Sequence, residues 1–244
     1  MKNIAGLLQE LKYTVIDGKP EGEISELVYD SRKVTKDCMF VCIKGAAYDS
    51  HDHTEEIARA GAKVIVAERP VKVPEGVTLV LVEDSRYALS MLSAAYFDHP
   101  VLVAQNREYT TYTGTLLGQK VSVIGITGTK GKTTTTFMVK GILEHAGYKV
   151  GLIGTIETII GDTHIPSSNT TPESYLVQKY FAQMVEAGCQ ICVMEVSSQG
   201  LMMHRTAGIP FEIGIFTNLA PDHIGPNEHA SFEEYAACKG MLFC

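Results

Sequence analysis

The chain lacks several things, and each absence removes a class of function. It has no surplus of positive charge: 21 Lys and Arg stand against 28 Asp and Glu, for a net charge of -7. Without a broad basic surface to offset phosphate repulsion, general nucleic-acid binding is excluded, and an anionic substrate must be met by local groups. No apolar run reaches membrane-spanning length. Met1–Gly18 carries Lys2, Glu10 and Lys12 without a long apolar centre, so it does not read as a signal peptide. Paired secretory spacing is missing among the six cysteines, which fits reduced thiols in the cytoplasm. Cys189-Gln190-Ile191-Cys192 has C-x-x-C spacing, but no second pair accompanies it and Cys192 lies in an apolar run. Buried structural cysteines are expected there rather than zinc or redox chemistry. No internal repeat or low-complexity tract is present. These absences leave a soluble cytoplasmic chain that partners neither a membrane nor a nucleic acid.

What is there suffices for two modest domains, since 244 residues with 45% hydrophobic and 20% charged content can bury two cores. In residues 1–99, Phe40-Val41-Cys42-Ile43, Val64-Ile65-Val66 and Leu79-Val80-Leu81-Val82 are short strand candidates. Thr54 to Ala60 and Arg86 to Phe97 carry helical apolar spacing. Residues 100–120, including the Thr-, Tyr- and Gly-rich Val101 to Gly118, read as a linker. From 121 to 244, strand and helix alternate. Strand Val121–Ile126 is followed by helix Lys132–His145 with Gly147 at its stop. Strand Val150–Gly154, a polar loop and helix Glu173–Ala187 come next. Strand Ile191–Val196, a short helix, strand Ile213–Thr217 and a helix from Ser231 complete the order. The expected fold class is α/β: a small N-terminal α/β domain, then an incomplete P-loop-type parallel sheet with helices on both faces. In such sheets ligands sit at the carboxyl ends of the strands.

The richest stretch is Gly125-Ile126-Thr127-Gly128-Thr129-Lys130-Gly131-Lys132-Thr133-Thr134, lying between a β-branched run and a helix. Strand, glycine turn and helix in that order make a phosphate cradle. Backbone N–H groups and the positive helix end converge on an anion, Lys132 reaches terminal phosphates, and the Thr133 hydroxyl can hold Mg²⁺. The spacing departs from strict G-x-x-x-x-G-K-[ST], which needs Gly where Ile126 stands. Even so, it predicts a nucleoside triphosphate site over Gly128 to Thr134. Glu195 ends the apolar run Ile191-Cys192-Val193-Met194, and a carboxylate at a strand end beside that loop suits Mg²⁺. Asp222-His223 follows another strand end, so His223 is a candidate ligand for a second cation with Asp222 orienting it. His229, His204 and His99 carry no comparable signal.

Taken in order, Thr127-Gly128-Thr129-Lys130-Gly131-Lys132-Thr133-Thr134, Asn169-Thr170-Thr171-Pro172, Glu195-Val196-Ser197-Ser198-Gln199-Gly200-Leu201, His204-Arg205 and Thr217-Asn218-Leu219-Ala220-Pro221-Asp222-His223 resemble the Mur ligase family. Asp30-Ser31-Arg32 and Phe40-Val41-Cys42-Ile43-Lys44-Gly45 followed by Asp49-Ser50-His51 extend the likeness to the first domain. The pattern is similar to the branch that adds a third amino acid, meso-diaminopimelate or L-lysine, to UDP-N-acetylmuramoyl-L-alanyl-D-glutamate in peptidoglycan synthesis. That resemblance implies ATP and Mg²⁺ as cofactors. It implies partners in UDP-N-acetylmuramoyl-dipeptide and a free amino acid, and a monomeric enzyme working through an acyl phosphate. Lys132, Thr133 and the glycines would hold the ATP phosphates. Thr133, Glu195, His223 and an N-carboxylated Lys239 would serve the metal. Asn169, Thr170, Thr171, Ser197 and Arg205 would meet the muramoyl-dipeptide, and Ser31 with Gly45 the uridine diphosphate end. Without the likeness, Lys239 reads as a solvated helix lysine. The likeness stops shortly after Lys239, at Cys244, so the chain is expected to be a substrate-binding fragment without turnover of its own. A folylpolyglutamate-synthetase-like ligase shares the glycine loop, but Asp30-Ser31-Arg32 and Asn169-Thr170-Thr171-Pro172 favour the muramoyl branch. A regulatory GTPase lacks support because no N-K-x-D stretch occurs.

Overall fold

The computed structural model describes residues 1–101, 120–226 and 228–244; apart from Val101, the linker stretch Val101 to Gly118 lies outside them. The chain divides into two units, Met1–Asp98 and His99–Cys244. The first opens with β1 (Lys2–Asn3), α1 (Ile4–Leu8), β2 (Tyr13–Asp17), β3 (Glu23–Ile24) and β4 (Leu27–Val28). It continues through β5 (Cys38–Val41), α2 (Thr54–Ala60), β6 (Ala62–Ala67), β7 (Thr78–Val82) and α3 (Ser85–Tyr96). Its main sheet has the order β2-β7-β6-β5-β4. The strands from β4 to β7 run parallel and β2 joins β7 antiparallel. Continuous apolar runs such as Val64-Ile65-Val66 are what a strand buried on both faces requires, and these three are fully buried. α3 starts where Asp84 caps it, its carboxylate accepting from the Tyr87 N–H at 2.7 Å.

The second unit runs β8 (Ser122–Thr127), α4 (Lys132–His145), β9 (Val150–Ile153), β10 (Glu157–Ile160), β11 (Thr163–Pro166), α5 (Ser174–Glu186), β12 (Ile191–Glu195), α6 (Ser198–Met202), β13 (Phe211–Phe216) and α7 (Phe232–Gly240). Its six strands take the order β11-β10-β9-β12-β8-β13. The last four of that order are parallel. Alternation along β12 separates the faces. Cys192 and Met194 pack with Val177, Phe181 and Met184 of α5. Val193 turns the other way, toward Val139 and Leu143 of α4. Cys189 and Cys192 are both free and buried, in keeping with a structural role.

The segment expected as a polar loop after β9 contains the β10–β11 hairpin instead, paired antiparallel to β9. Ile160 faces Thr163 across a two-residue loop, and Gly161, with φ 58°, takes the first loop position that such a turn favours for glycine. Among the described residues no helix is long and apolar enough to cross a membrane.

Candidate active site

β12, β8 and β13 are neighbours and parallel, so their carboxyl ends open on one rim. The turn after β8 is shaped by two glycines of different kinds. Gly128 has φ 140°, and a Cβ there would collide with the Thr217 hydroxyl and stand 3.0 Å from the backbone N and O of Asn218. Gly131, at φ 83° and ψ -1°, is the N-cap of α4, with nothing within 4 Å of the place a Cβ would take. The turn is clamped from the β13 exit. Thr217 Oγ1 donates to the Lys130 carbonyl at 2.7 Å, Asn218 Nδ2 donates to the same carbonyl at 2.9 Å, and Asn218 Oδ1 accepts from Lys130 N–H at 3.0 Å. No side chain caps the first turn of α4, so the Thr133 and Thr134 end of the helix keeps its positive pole open. Lys132 Nζ curls back onto the Gly128 and Thr129 carbonyls at 2.9 and 3.2 Å. Burial pulls its pKa below the usual lysine value, against the fields of Glu195 and Asp222.

Glu195, 1% exposed at the end of β12, is held by three donors. Thr133 Oγ1 reaches its Oε2 at 3.0 Å, and Thr155, which follows β9, gives its N–H to Oε1 at 2.8 Å and its hydroxyl to Oε2 at 3.1 Å. Thr155 Oγ1 also lies 3.0 Å from Thr170 Oγ1. Thr171, fully buried, donates to the Glu195 carbonyl at 3.1 Å and accepts from Ser197 N–H at 2.9 Å, which stitches the loop before α5 to the β12 end. Ser197 in turn caps α6. Arg205 donates to the Thr171 carbonyl at 3.0 Å and pairs with Glu173 at 2.7 Å. Asn169 is exposed beside them.

The third contribution comes from beyond β13. His223, φ 53°, is half exposed, and its Nδ1 lies 3.1 Å from Glu228. The orienting carboxylate is therefore Glu228 and not Asp222, whose Oδ1 accepts from the His223 backbone N–H at 3.0 Å. Lys239, expected from residue statistics as a solvated lysine, is 2% exposed. Its Nζ donates to the Gly128 carbonyl at 2.9 Å, the oxygen Lys132 also uses, and stands 4.3 Å from the Tyr235 ring centre. Burial first, then the charge of Lys132, pulls its pKa down to about 8.

Lys132, Thr133, Glu195, Asp222–His223 and Lys239 are thus brought to one rim, with Thr170, Thr171, Ser197 and Arg205 adjoining the Glu195 side. Ser31, opening a short 3-10 turn capped by Asp30, and Gly45, whose N–H donates to the Tyr48 carbonyl at 2.8 Å, belong to the first unit. Thr155, Glu228 and Tyr235 were not singled out from sequence. Thr155 carried a readable signal, as the polar residue directly after the β9 strand and its glycine. The oxygen set of Thr133 and Glu195 suits a hard cation. Among the described residues no group of three His, Cys, Asp or Glu could hold a metal.

A parallel sheet whose first βα turn is a glycine loop over an uncapped helix start defines an α/β protein of P-loop architecture. Two family models match the chain: "Mur ligase family, catalytic domain" over residues 23–108 and "Mur ligase middle domain" over 126–244. The chain belongs to the Mur ligase family. It is 42% identical over 240 residues to a UDP-N-acetylmuramoyl-L-alanyl-D-glutamate--2,6-diaminopimelate ligase of Clostridium perfringens, covering 98% of this chain and 46% of that one. It is 44% identical over 243 residues to ligase 1 of that name from Clostridium acetobutylicum, covering 100% and 46%. The chain therefore spans about half the length of the curated relatives it matches. A solved structure of a ligase of the same name superposes with a TM-score of 0.75 at 23% identity, over 93% of this chain and 42% of that one. MurF from Acinetobacter baumannii gives 0.62 at 21%, over 99% and 46%. At these identities the superpositions establish the shared fold.

Proposed function

We propose that the chain supplies the ATP-phosphate site and the UDP-substrate side of an amide-bond ligase that adds 2,6-diaminopimelate to UDP-N-acetylmuramoyl-L-alanyl-D-glutamate. The supporting observation is the shared rim: Lys132 stands in the fields of both Glu195 and Asp222, and Lys239 meets it on one carbonyl oxygen. A carboxylate is a poor acyl donor, and phosphorylating the D-glutamyl carboxylate supplies the leaving group that the incoming amine displaces as phosphate. Lys132 and the α4 start neutralise charge on the transferred phosphoryl group. Thr133 and Glu195 would hold Mg²⁺ through oxygen, and the cation would supply further positive charge at the phosphates. Arg205, beside Thr171 and Ser197, suits a substrate carboxylate presented two oxygens at a time. Ser31 and Gly45 take the uridine diphosphate end.

Lys239 fits an N-carboxylated state. Its amine must lose a proton to add CO₂, and a pKa of about 8 leaves more of it neutral near pH 7 than for an ordinary lysine. The carbamate would be an anion suited to a second cation. Titration calorimetry with Mg·ATP and, separately, with UDP-N-acetylmuramoyl-L-alanyl-D-glutamate tests the reading. Saturable binding of each is expected, with Lys132→Ala losing the first and keeping the second. A chain that binds neither, or a Lys132→Ala variant that keeps both, refutes it.

A further inference from the structure

Tyr235 is fully buried on α7 and contacts residues that follow two different strands, β8 and β13. Its hydroxyl donates to Thr129 Oγ1 at 3.0 Å. That hydroxyl is itself locked to the β13 exit, accepting from Ala220 N–H at 3.0 Å and lying 3.2 Å from the Ala220 carbonyl. One ring face carries Lys239 Nζ, whose proton goes to the Gly128 carbonyl. His229, fully buried, meets the ring edge-on with centroids 5.3 Å apart. Its Nε2 is 2.8 Å from Ser198 Oγ at the start of α6, behind β12. His223 lies 6.1 Å from the same ring, centroid to centroid.

A rigid ring with one polar handle can fix two groups at once: the π face orients a cation and the hydroxyl restrains an oxygen. We propose that Tyr235 is a positioning residue, which sets Lys239 Nζ and the Thr129 turn of the phosphate loop at a fixed mutual distance, with His229 and Ser198 bracing its ring from the β12 side. Its side chain is fully buried. It acts through Lys239 and Thr129, so the inference rests on the phosphate-site reading for its consequence and on geometry alone for its existence.

The two parts separate experimentally. In protein labelled with [ε-¹³C]lysine, the Lys239 signal, assigned by its loss in Lys239→Arg, should lie upfield of the other lysines because the ring current reaches it. Tyr235→Phe should keep that shift and Tyr235→Leu should abolish it. For Mg·ATP, Tyr235→Phe should weaken binding about five- to ten-fold, the worth of one buried hydrogen bond; Thr129→Val, which also strands the Ala220 N–H, should lose at least as much, and the double variant no more than Thr129→Val alone. A Lys239 signal that is not upfield, or one unmoved by loss of the ring, overturns the proposal. So does Tyr235→Phe binding as tightly as the parent, or losses that add. If the parent itself fails to bind Mg·ATP, the phosphate-site reading falls, while the Lys239 signal in the parent and in Tyr235→Phe still decides whether Tyr235 positions it.

Discussion

Replacing Gly128 with alanine tests whether the turn after β8 is shaped by contact or by backbone freedom alone. At φ 140° an L residue lies outside its ordinary conformations, a strain of about 1–3 kcal/mol. The new methyl group would also meet the Thr217 hydroxyl and backbone atoms of Asn218 at 3.0 Å, which belong to a strand exit and cannot swing aside like a side-chain tip. Overpacking of that sort adds about 1–3 kcal/mol. The Thr217 hydrogen bond to the Lys130 carbonyl would go with the displacement. Gly131→Ala is the control, because at φ 83° it carries only the left-handed cost of about 1–2 kcal/mol with open space around the methyl group. For a unit of this size, about 4 kcal/mol lowers the melting temperature by roughly 12 °C, against roughly 4 °C for the control. Scanning calorimetry on both variants should show that ordering, and Mg·ATP titration should show the larger loss for Gly128→Ala. Equal destabilisation, or a milder effect at 128, would show that the close approach to β13 does not shape the loop.

Three further outcomes follow from the same rim. Glu195→Ala strands the Thr155 N–H and the Thr133 hydroxyl, and should cost about 3 kcal/mol in urea unfolding, whereas Glu195→Gln keeps the shape and should stay within about 1 kcal/mol. Both should lose the Mg²⁺ dependence of ATP binding; a Gln variant that retains it removes Glu195 from the metal. Thr171→Val deprives Ser197 N–H of its acceptor at a buried position and should cost about 2 kcal/mol, with Thr171→Ser restoring most of it; an unrecovered Ser variant assigns the loss to packing instead. Lys239 has a folded pKa of about 8 against 10.5 in the unfolded chain, so the unfolded state binds more protons between those values and stability rises with pH across that window. Lys239→Met should flatten the rise in pH-resolved unfolding, and a parent-minus-variant difference that stays level or falls there contradicts a buried, proton-shedding amine.

Elements with a glycine stop and unbroken apolar spacing could be read from the chain. Helices α2 and α4 occupy Thr54–Ala60 and Lys132–His145, the spans their periodicity indicates. The elements that escaped share a physical reason. β1, β3 and β4 have two residues each, too few to show a period. β2 is an edge strand, largely exposed along its length, so no buried face imposes alternation on Tyr13 to Asp17. The β10–β11 hairpin hides its turn in Gly161-Asp162 among threonines and prolines that read as loop.

In the site, what could be read was what each strand end carries locally: Lys132 and Thr133 after β8, Glu195 on β12, Asp222–His223 after β13. What could not be read is closure, because α7 returns to a turn 106 residues earlier in the chain when Tyr235 meets Thr129. Lys239 shows why this matters. Tyr235 and Lys239 stand four residues apart on α7, one above the other on the same face, so burying the tyrosine also draws the lysine inward. Two lysine nitrogens then share the Gly128 carbonyl oxygen at 2.9 Å each. An ammonium pair held that close raises the free energy of its own charged state, and two events relieve it: an anion arriving in the loop, or conversion of Lys239 to a carbamate, which turns its repulsion of Lys132 into attraction. The fold thus carries an electrostatic cost in this turn, and on the proposed reading phosphate or CO₂ would remove it.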